Sequence, residues 1–68
     1  MIEIRVNGET METRPGTSVH GLLAELGIEP ANLAIEHNGR LLDEKADLDG
    51  VIIDEGDRLE IVRFVGGG

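Results

Sequence analysis

The chain has 68 residues, which allows one small domain near the lower limit for folding without disulfides or metals. It has no cysteine, so the sequence excludes a disulfide framework, a thiolate metal site and a cysteine nucleophile. Fourteen acidic residues against six basic ones give a formal net charge of -8, which argues against nucleic-acid binding and favours protein partners with basic surfaces. The apolar runs are far too short for a membrane span and no apolar leader opens the chain, so we expect a cytoplasmic protein.

Two predicted strands open the chain. Residues 1–6 alternate, with Ile2, Ile4 and Val6 on one face and Glu3 and Arg5 on the other, which is typical of a half-buried strand. Asn7-Gly8 follows, and this dipeptide favours a tight hairpin because both positions accept a positive φ. Residues 9–13 are then the antiparallel return strand, with Met11 as its main inward side chain.

A single main helix is predicted over residues 19–26. Ser18 (or Thr17) is a good N-cap, and Gly27 is placed to end the helix in a left-handed conformation. Helical spacing gives one apolar stripe that should cover a sheet, formed by Val19, Leu22, Leu23 and Leu26.

The second half of the chain returns to strands. Residues 33–37 predict a third strand with Leu33 and Ile35 inward, and a second Asn-Gly turn leads to a short return strand at 40–42. The remaining predicted segments are an acidic stretch at 43–50 that could form one helical turn around 44–48, a short apolar segment at 51–53, a tight turn at 54–57 and the last strand at 58–64.

This order predicts an α+β fold of the ubiquitin-like β-grasp type. A mixed sheet of four to five strands would pack against the one main helix, with the first and last strands parallel at its centre. We assign residues 1–65 to the β-grasp domain and 66–68 to a flexible glycine tail.

The tail is the most unusual feature of the sequence. Gly66, Gly67 and Gly68 cannot pack a core, but a bare terminal carboxylate without neighbouring Cβ atoms can enter a narrow channel and react unhindered. A frayed terminus or a linker remnant explains the three glycines equally well when they are taken alone.

The residues before the tail predict a docking surface. Leu59 and Ile61 should face the core, which leaves Val62 and Phe64 on the open face with Glu60. We therefore expect a partner to bind Val62, Phe64 and Val65. Isolated apolar residues on a surface are also normal, and the sequence fits two interpretations of Arg63 equally well, a solvated residue at the rim of this surface and a partner contact.

Catalytic and metal-binding residues are nearly absent from the sequence. Only His20 and His37 can titrate near neutrality, and their spacing is poor for a metal, so we expect surface histidines. The acidic residues between 43 and 49 lack the glycine and the terminal glutamate of a calcium loop. We therefore expect a carrier, a substrate or a binding module without a bound metal, rather than an enzyme.

Several segments together resemble the thiamine thiazole sulfur carriers (ThiS type). The matching stretches are Val6-Asn7-Gly8-Glu9, the helix entry at 16–23, Ala34 to Gly39, Asp54-Glu55-Gly56-Asp57 and Phe64 to Gly68. Gly21 is a departure, because many members have an acidic residue there.

The resemblance implies a function for the tail. A ThiF-type enzyme would adenylate the Gly68 carboxylate with ATP and magnesium, and a cysteine desulfurase or another donor would supply sulfur. The resulting thiocarboxylate would give its sulfur to thiazole synthase. The carrier itself would bind no cofactor.

Three alternatives share the predicted fold. The small subunit of molybdopterin synthase has the same tail, although those chains are longer and carry prolines before the glycines. A protein modifier would join Gly68 to a lysine. A plain ubiquitin-like interaction domain would leave the tail idle.

Overall fold

The computed structural model describes residues 1–42 and 48–64. Its elements in chain order are β1 (Ile2–Val6), β2 (Glu9–Thr13), α1 (Val19–Leu26), β3 (Leu33–His37), β4 (Arg40–Leu42) and β5 (Arg58–Arg63). Each predicted strand and the predicted helix are confirmed, although the first strand begins one residue later than predicted, at Ile2, and the last ends one residue earlier, at Arg63. The predicted tail at 66–68 lies outside the described residues. The predicted helical turn at 44–48 lies outside them except for its last residue.

The five strands form one mixed sheet in the order β2-β1-β5-β3-β4. The neighbours β1 and β5 are parallel, with Arg5 beside Arg58, and the other three pairs are antiparallel. The prediction that the first and last strands pair in parallel at the centre is therefore confirmed. A helix-containing crossover makes this pairing possible, because parallel neighbours need a long connection.

The helix supplies almost half of the buried apolar core. Its Val19, Leu22 and Leu23 are buried together with four residues outside the helix, which are Ile4, Ile35, Ile53 and Leu59. Burial of each such side chain stabilises the fold by about 1.5–3 kcal/mol. The prediction that Leu26 belongs to the covered stripe is wrong, since Leu26 is 39% exposed. The helix ends there, and Ile28 packs against the core after the turn.

Both predicted helix caps are confirmed. The Oγ of Ser18 accepts a hydrogen bond from the Gly21 N–H at 3.0 Å. At the other end Gly27 has φ 72°, which a residue with a Cβ adopts only with strain. The Ile28 N–H then donates to the Leu23 carbonyl at 2.9 Å, which closes the helix in a Schellman-type turn.

The inward face of β2 differs from the prediction. Met11 is only half-buried, whereas Thr13 is 1% exposed, so Met11 is not the main inward residue. Thr13 can be buried because its hydroxyl lies within hydrogen-bond distance of Thr17 Oγ1, at 3.3 Å, and of Glu25 Oε2, at 3.2 Å.

The apolar segment at 51–53 joins the sheet side of the molecule to the start of the helix. Ile52 forms an isolated antiparallel bridge with Ser18, and Ile53 is buried. The Val19 N–H donates to the Val51 carbonyl at 2.9 Å. In the ranges described, no helix has the length and apolar character needed to cross a membrane.

Candidate functional site

The candidate site is built on β5, the central strand that leads to the glycines. β5 pairs with β3 along its length, as far as Leu33 opposite Arg63. The Phe64 N–H then donates to the Asn32 carbonyl at 2.8 Å, so the last described residue is still tied to the sheet. Asn32 has φ 58°, and this left-handed turn before β3 directs its carbonyl to Phe64.

Two asparagine side chains hold β5 from opposite sides. The Oδ1 of Asn7 accepts from the Ile61 N–H at 2.7 Å, and its Nδ2 donates to the Ile61 carbonyl at 3.2 Å. On the other side Asn38 Oδ1 accepts from the Arg58 N–H at 2.8 Å, and the Asn38 N–H donates to the Arg58 carbonyl at 2.8 Å. Each asparagine thus extends the hydrogen bonding of its own strand onto β5. The sequence did not predict that these asparagines bind β5, because the only indication was the position of each asparagine at a turn.

Asp57 connects the start of β5 to the second Asn-Gly turn. Its Oδ2 accepts from the Asp54 N–H at 2.8 Å and lies 2.7 Å from His37 Nε2. Its Oδ1 accepts from Asn38 Nδ2 at 3.1 Å. The prediction that His37 is a surface histidine is wrong, because its side chain is only 20% exposed and bonds to Asp57.

The hydrogen bonds around Asp57 favour its ionised form. Burial alone would raise the pKa of its carboxyl, but the Asp54 N–H, His37 and Asn38 together outweigh burial and lower the pKa below its ordinary value. Asp57 is therefore an ionised structural acceptor near neutral pH. In the described ranges, His37 and Asp57 form the only pair of basic and acidic side chains within 4.0 Å, and it is ionic only when His37 is protonated.

The predicted docking residues are exposed where the structure describes them. Val62 is 54% exposed and Phe64 is 58% exposed, whereas Leu59 is buried as predicted. Phe64 follows the last residue of β5, so strand alternation no longer fixes its face. It borders an open groove of about 320 Å³ whose other described lining residues are Pro30, Asn32, Leu33, Ile35, Leu42 and Leu48. Val65, Gly66, Gly67 and Gly68 lie outside the described residues.

The described residues offer no metal-binding cluster. No group of three or more His, Cys, Asp or Glu side chains in 1–42 and 48–64 comes together in a way that could hold a metal ion. His20 is exposed on the helix. What the geometry provides is a firmly held strand that ends beside exposed apolar residues. Such an arrangement can present a terminus to another protein.

Comparisons with known proteins identify the family. The ThiS family model matches residues 4–68. In structure, the chain is similar to a thiamine biosynthesis protein (ThiS) from Geobacter metallireducens, whose crystal structure superimposes with a TM-score of 0.81 at 28% identity. That match covers 98% of this chain and 100% of the other.

Curated relatives add a second observation. The chain is 36% identical over 67 residues to thiazole synthases of Magnetococcus marinus and Paramagnetospirillum magneticum. These matches cover 98% of this chain, but the chain spans only 20% of the length of each synthase. It is also 36% identical to the ycf40 protein of Porphyra purpurea, over 98% of this chain and 93% of that protein. The chain therefore belongs to the ThiS family and has its ubiquitin-like β-grasp fold.

Proposed function

We propose that the chain carries sulfur for the thiazole ring of thiamine on the carboxyl group of Gly68. The observation that carries this proposal is the ThiS family match, which runs through the glycine tail to residue 68. The firmly held β5 and the exposed Val62 and Phe64 support it, because a carrier needs a stable handle beside its reactive end.

The proposed chemistry needs an activated carboxyl carbon. A carboxylate is a poor electrophile until one of its oxygens becomes a good leaving group. A ThiF-type enzyme, with ATP and magnesium, would join the Gly68 carboxylate to AMP and release pyrophosphate. A persulfide from a cysteine desulfurase would attack the acyl carbon and displace AMP, and a thiol would then cleave the resulting acyl disulfide. The product is a thiocarboxylate on Gly68.

The acceptor in this proposal is thiazole synthase. The support is that two curated relatives carry that name and contain a segment similar to the whole chain within a polypeptide about five times as long. A carrier joined to its acceptor would meet it at a high effective concentration. Because the activation consumes ATP, we place the reaction in the cytoplasm.

Intact-mass spectrometry tests the proposal. The full chain is incubated with a ThiF-type enzyme, ATP, magnesium, a cysteine desulfurase, cysteine and a thiol. We expect a mass increase equal to one oxygen replaced by sulfur, and no increase in a matched chain that lacks Gly67 and Gly68. No increase in the full chain would overturn the proposal. A mass increase that matches attachment to another protein would show a protein modifier instead.

A further inference from the structure

The two Asn-Gly pairs, at 7–8 and 38–39, form hairpin turns that are chemically labile. Glycine has no Cβ, so its backbone nitrogen can attack the side-chain amide carbon of the preceding asparagine without hindrance. The attack makes a bond from that nitrogen to Cγ, breaks the bond from Cγ to Nδ2, and releases ammonia, which takes the proton of the attacking N–H. Water then opens the resulting succinimide ring to aspartate or isoaspartate.

The fold holds the Asn38 side chain away from this reaction. Its Oδ1 accepts from the Arg58 N–H at 2.8 Å and its Nδ2 donates to Asp57 Oδ1 at 3.1 Å, so both polar atoms of the amide are bonded where β5 begins. Ring closure also needs the Gly39 nitrogen to turn into line with the Cα–Cβ bond of Asn38. The two residues have φ 53° and 83°, as in a type I′ turn, and this geometry does not meet that requirement. The reaction therefore has to wait until the turn and its bonds to β5 open.

The product of deamidation cannot make the contacts of the Asn38 amide. Asp57 is ionised near neutral pH and accepts a hydrogen bond from Asn38 Nδ2. Aspartate at position 38 has no N–H to donate, so two carboxylate oxygens would meet where a hydrogen bond stood, and their like charges repel. Isoaspartate would add an atom to the backbone of the turn, which could not then keep its two-residue geometry. Either product loosens the start of β5.

Asn7 provides a matched comparison within the same chain. Its Oδ1 accepts from the Ile61 N–H at 2.7 Å, and its Nδ2 donates to the uncharged Ile61 carbonyl at 3.2 Å. Aspartate there would keep the shorter bond and lose the longer one, and the group that it faces would be a carbonyl rather than a carboxylate. The two turns therefore share the same chemistry but differ in what deamidation does to the fold.

We propose that Asn38 is a site of spontaneous deamidation that the native bonds to β5 hold back, and that the new carboxylate, once formed, opposes Asp57 and releases the start of β5. The reaction needs only the chain and water. Because water opens the ring without restoring the amide, chains that have opened at this turn accumulate a permanent additional negative charge there. The modification thus records how often the start of β5 has opened.

The rate of deamidation tests the first half of the proposal. The full chain is incubated at mildly alkaline pH, folded and in guanidinium chloride, and each asparagine is followed by intact mass and peptide mapping. We expect Asn38 to react at least about tenfold faster in the denaturant. In the folded Asp57→Ala variant, the reaction at Asn38 should accelerate at least about threefold more than the reaction at Asn7, because only Asn38 loses an acceptor. The rate at Asn7 corrects for the general loss of stability in this variant.

The effect of the product is tested with Asn38→Asp and Asn7→Asp, which make the same change of charge at the two turns. We expect Asn38→Asp to raise the equilibrium constant of unfolding about tenfold more than Asn7→Asp, in a denaturant titration followed by circular dichroism. Equal effects of the two substitutions would overturn the proposal. Equal rates at Asn38 in the folded and unfolded parent, or equal acceleration at both asparagines in Asp57→Ala, would also overturn it. The comparison of rates in the parent chain decides the matter even if Asn38→Asp does not fold.

Discussion

Replacement of Asp57 by alanine tests the hydrogen-bonded connection at the start of β5. The change removes the acceptor of bonds from Asp54, His37 and Asn38, at 2.8, 2.7 and 3.1 Å. Hydrogen bonds to a charged group contribute about 1.5–3 kcal/mol each, and they are not additive around one carboxylate that water partly reaches. We expect the free energy of unfolding to fall by about 2 kcal/mol, a large fraction of the roughly 3–10 kcal/mol typical of a domain of this size. The Tm should fall by about 8–16 °C.

Urea denaturation followed by circular dichroism measures this loss, because the chain has no Trp or Tyr for fluorescence. Asp54→Ala is the matched control, since Asp54 is exposed in the same turn. It should change stability by less than about 0.5 kcal/mol. Asp57→Asn should lie between the two, because an amide keeps one acceptor but presents its NH₂ to one of the former donors.

The pH dependence gives a second measurement of the same connection. In the folded protein, burial raises the pKa of Asp57, but the bonds from the Asp54 N–H, His37 and Asn38 outweigh burial. The pKa of Asp57 is therefore lowered. Its stabilising contribution is therefore complete above the unfolded pKa of about 3.9 and is lost as pH falls through the lower folded pKa. The gap between parent and Asp57→Ala should shrink as the pH falls below 4. A gap under about 0.5 kcal/mol at pH 7, or one that does not shrink in acid, would refute the reasoning.

Three further predictions concern single positions. Gly21→Ala should stabilise the helix by about 0.5–1 kcal/mol, whereas Gly27→Ala should destabilise it by about 1 kcal/mol in the same urea assay. A Cβ added at Gly21 would lie 3.4 Å from its nearest neighbouring atom, which is an ordinary contact distance, whereas Gly27 has φ 72°. Equal effects of the two substitutions on stability would contradict this reasoning. Ser18→Ala should cost about 1 kcal/mol, because the Gly21 N–H loses its acceptor, and hydrogen exchange of that amide should accelerate. Phe64→Ala should leave stability within about 0.5 kcal/mol and raise the KM of adenylation, and unchanged adenylation kinetics would show that Phe64 does not contact the enzyme.

Local patterns in the sequence were sufficient to predict the elements and their order. Alternation defined the strands, and both Asn-Gly pairs have positive φ at their two residues, as the hairpins require. The burial of Thr13 could not be predicted, because a threonine is buried only where tertiary contacts satisfy its hydroxyl. The exposure of Leu26 likewise depends on where the chain turns after the helix.

The details around β5 depend on contacts distant in sequence. Asn7 and Ile61 are 54 residues apart, and His37 and Asp57 are 20 apart, so no local pattern reports their hydrogen bonds. The opposition of Glu36 and Glu60 needs the register of β3 against β5, which alternation alone does not fix. The exposure of Val62 could be predicted because it depends only on strand alternation, whereas Phe64 lies beyond the last residue of β5, where alternation no longer applies.

The hydrogen bond from the Phe64 N–H to the Asn32 carbonyl fixes the point from which the reach of the last residues can be calculated. Gly68 is the fourth residue after Phe64, and a fully extended chain gains at most about 3.3–3.6 Å per residue, so Gly68 reaches at most roughly 13–14 Å from this fixed point. Under the proposed function, an enzyme that modifies Gly68 must hold its reaction centre within that radius of the surface where the carrier docks. Each partner that acts on Gly68 is therefore bound by the same upper limit on the distance between its active site and its docking surface.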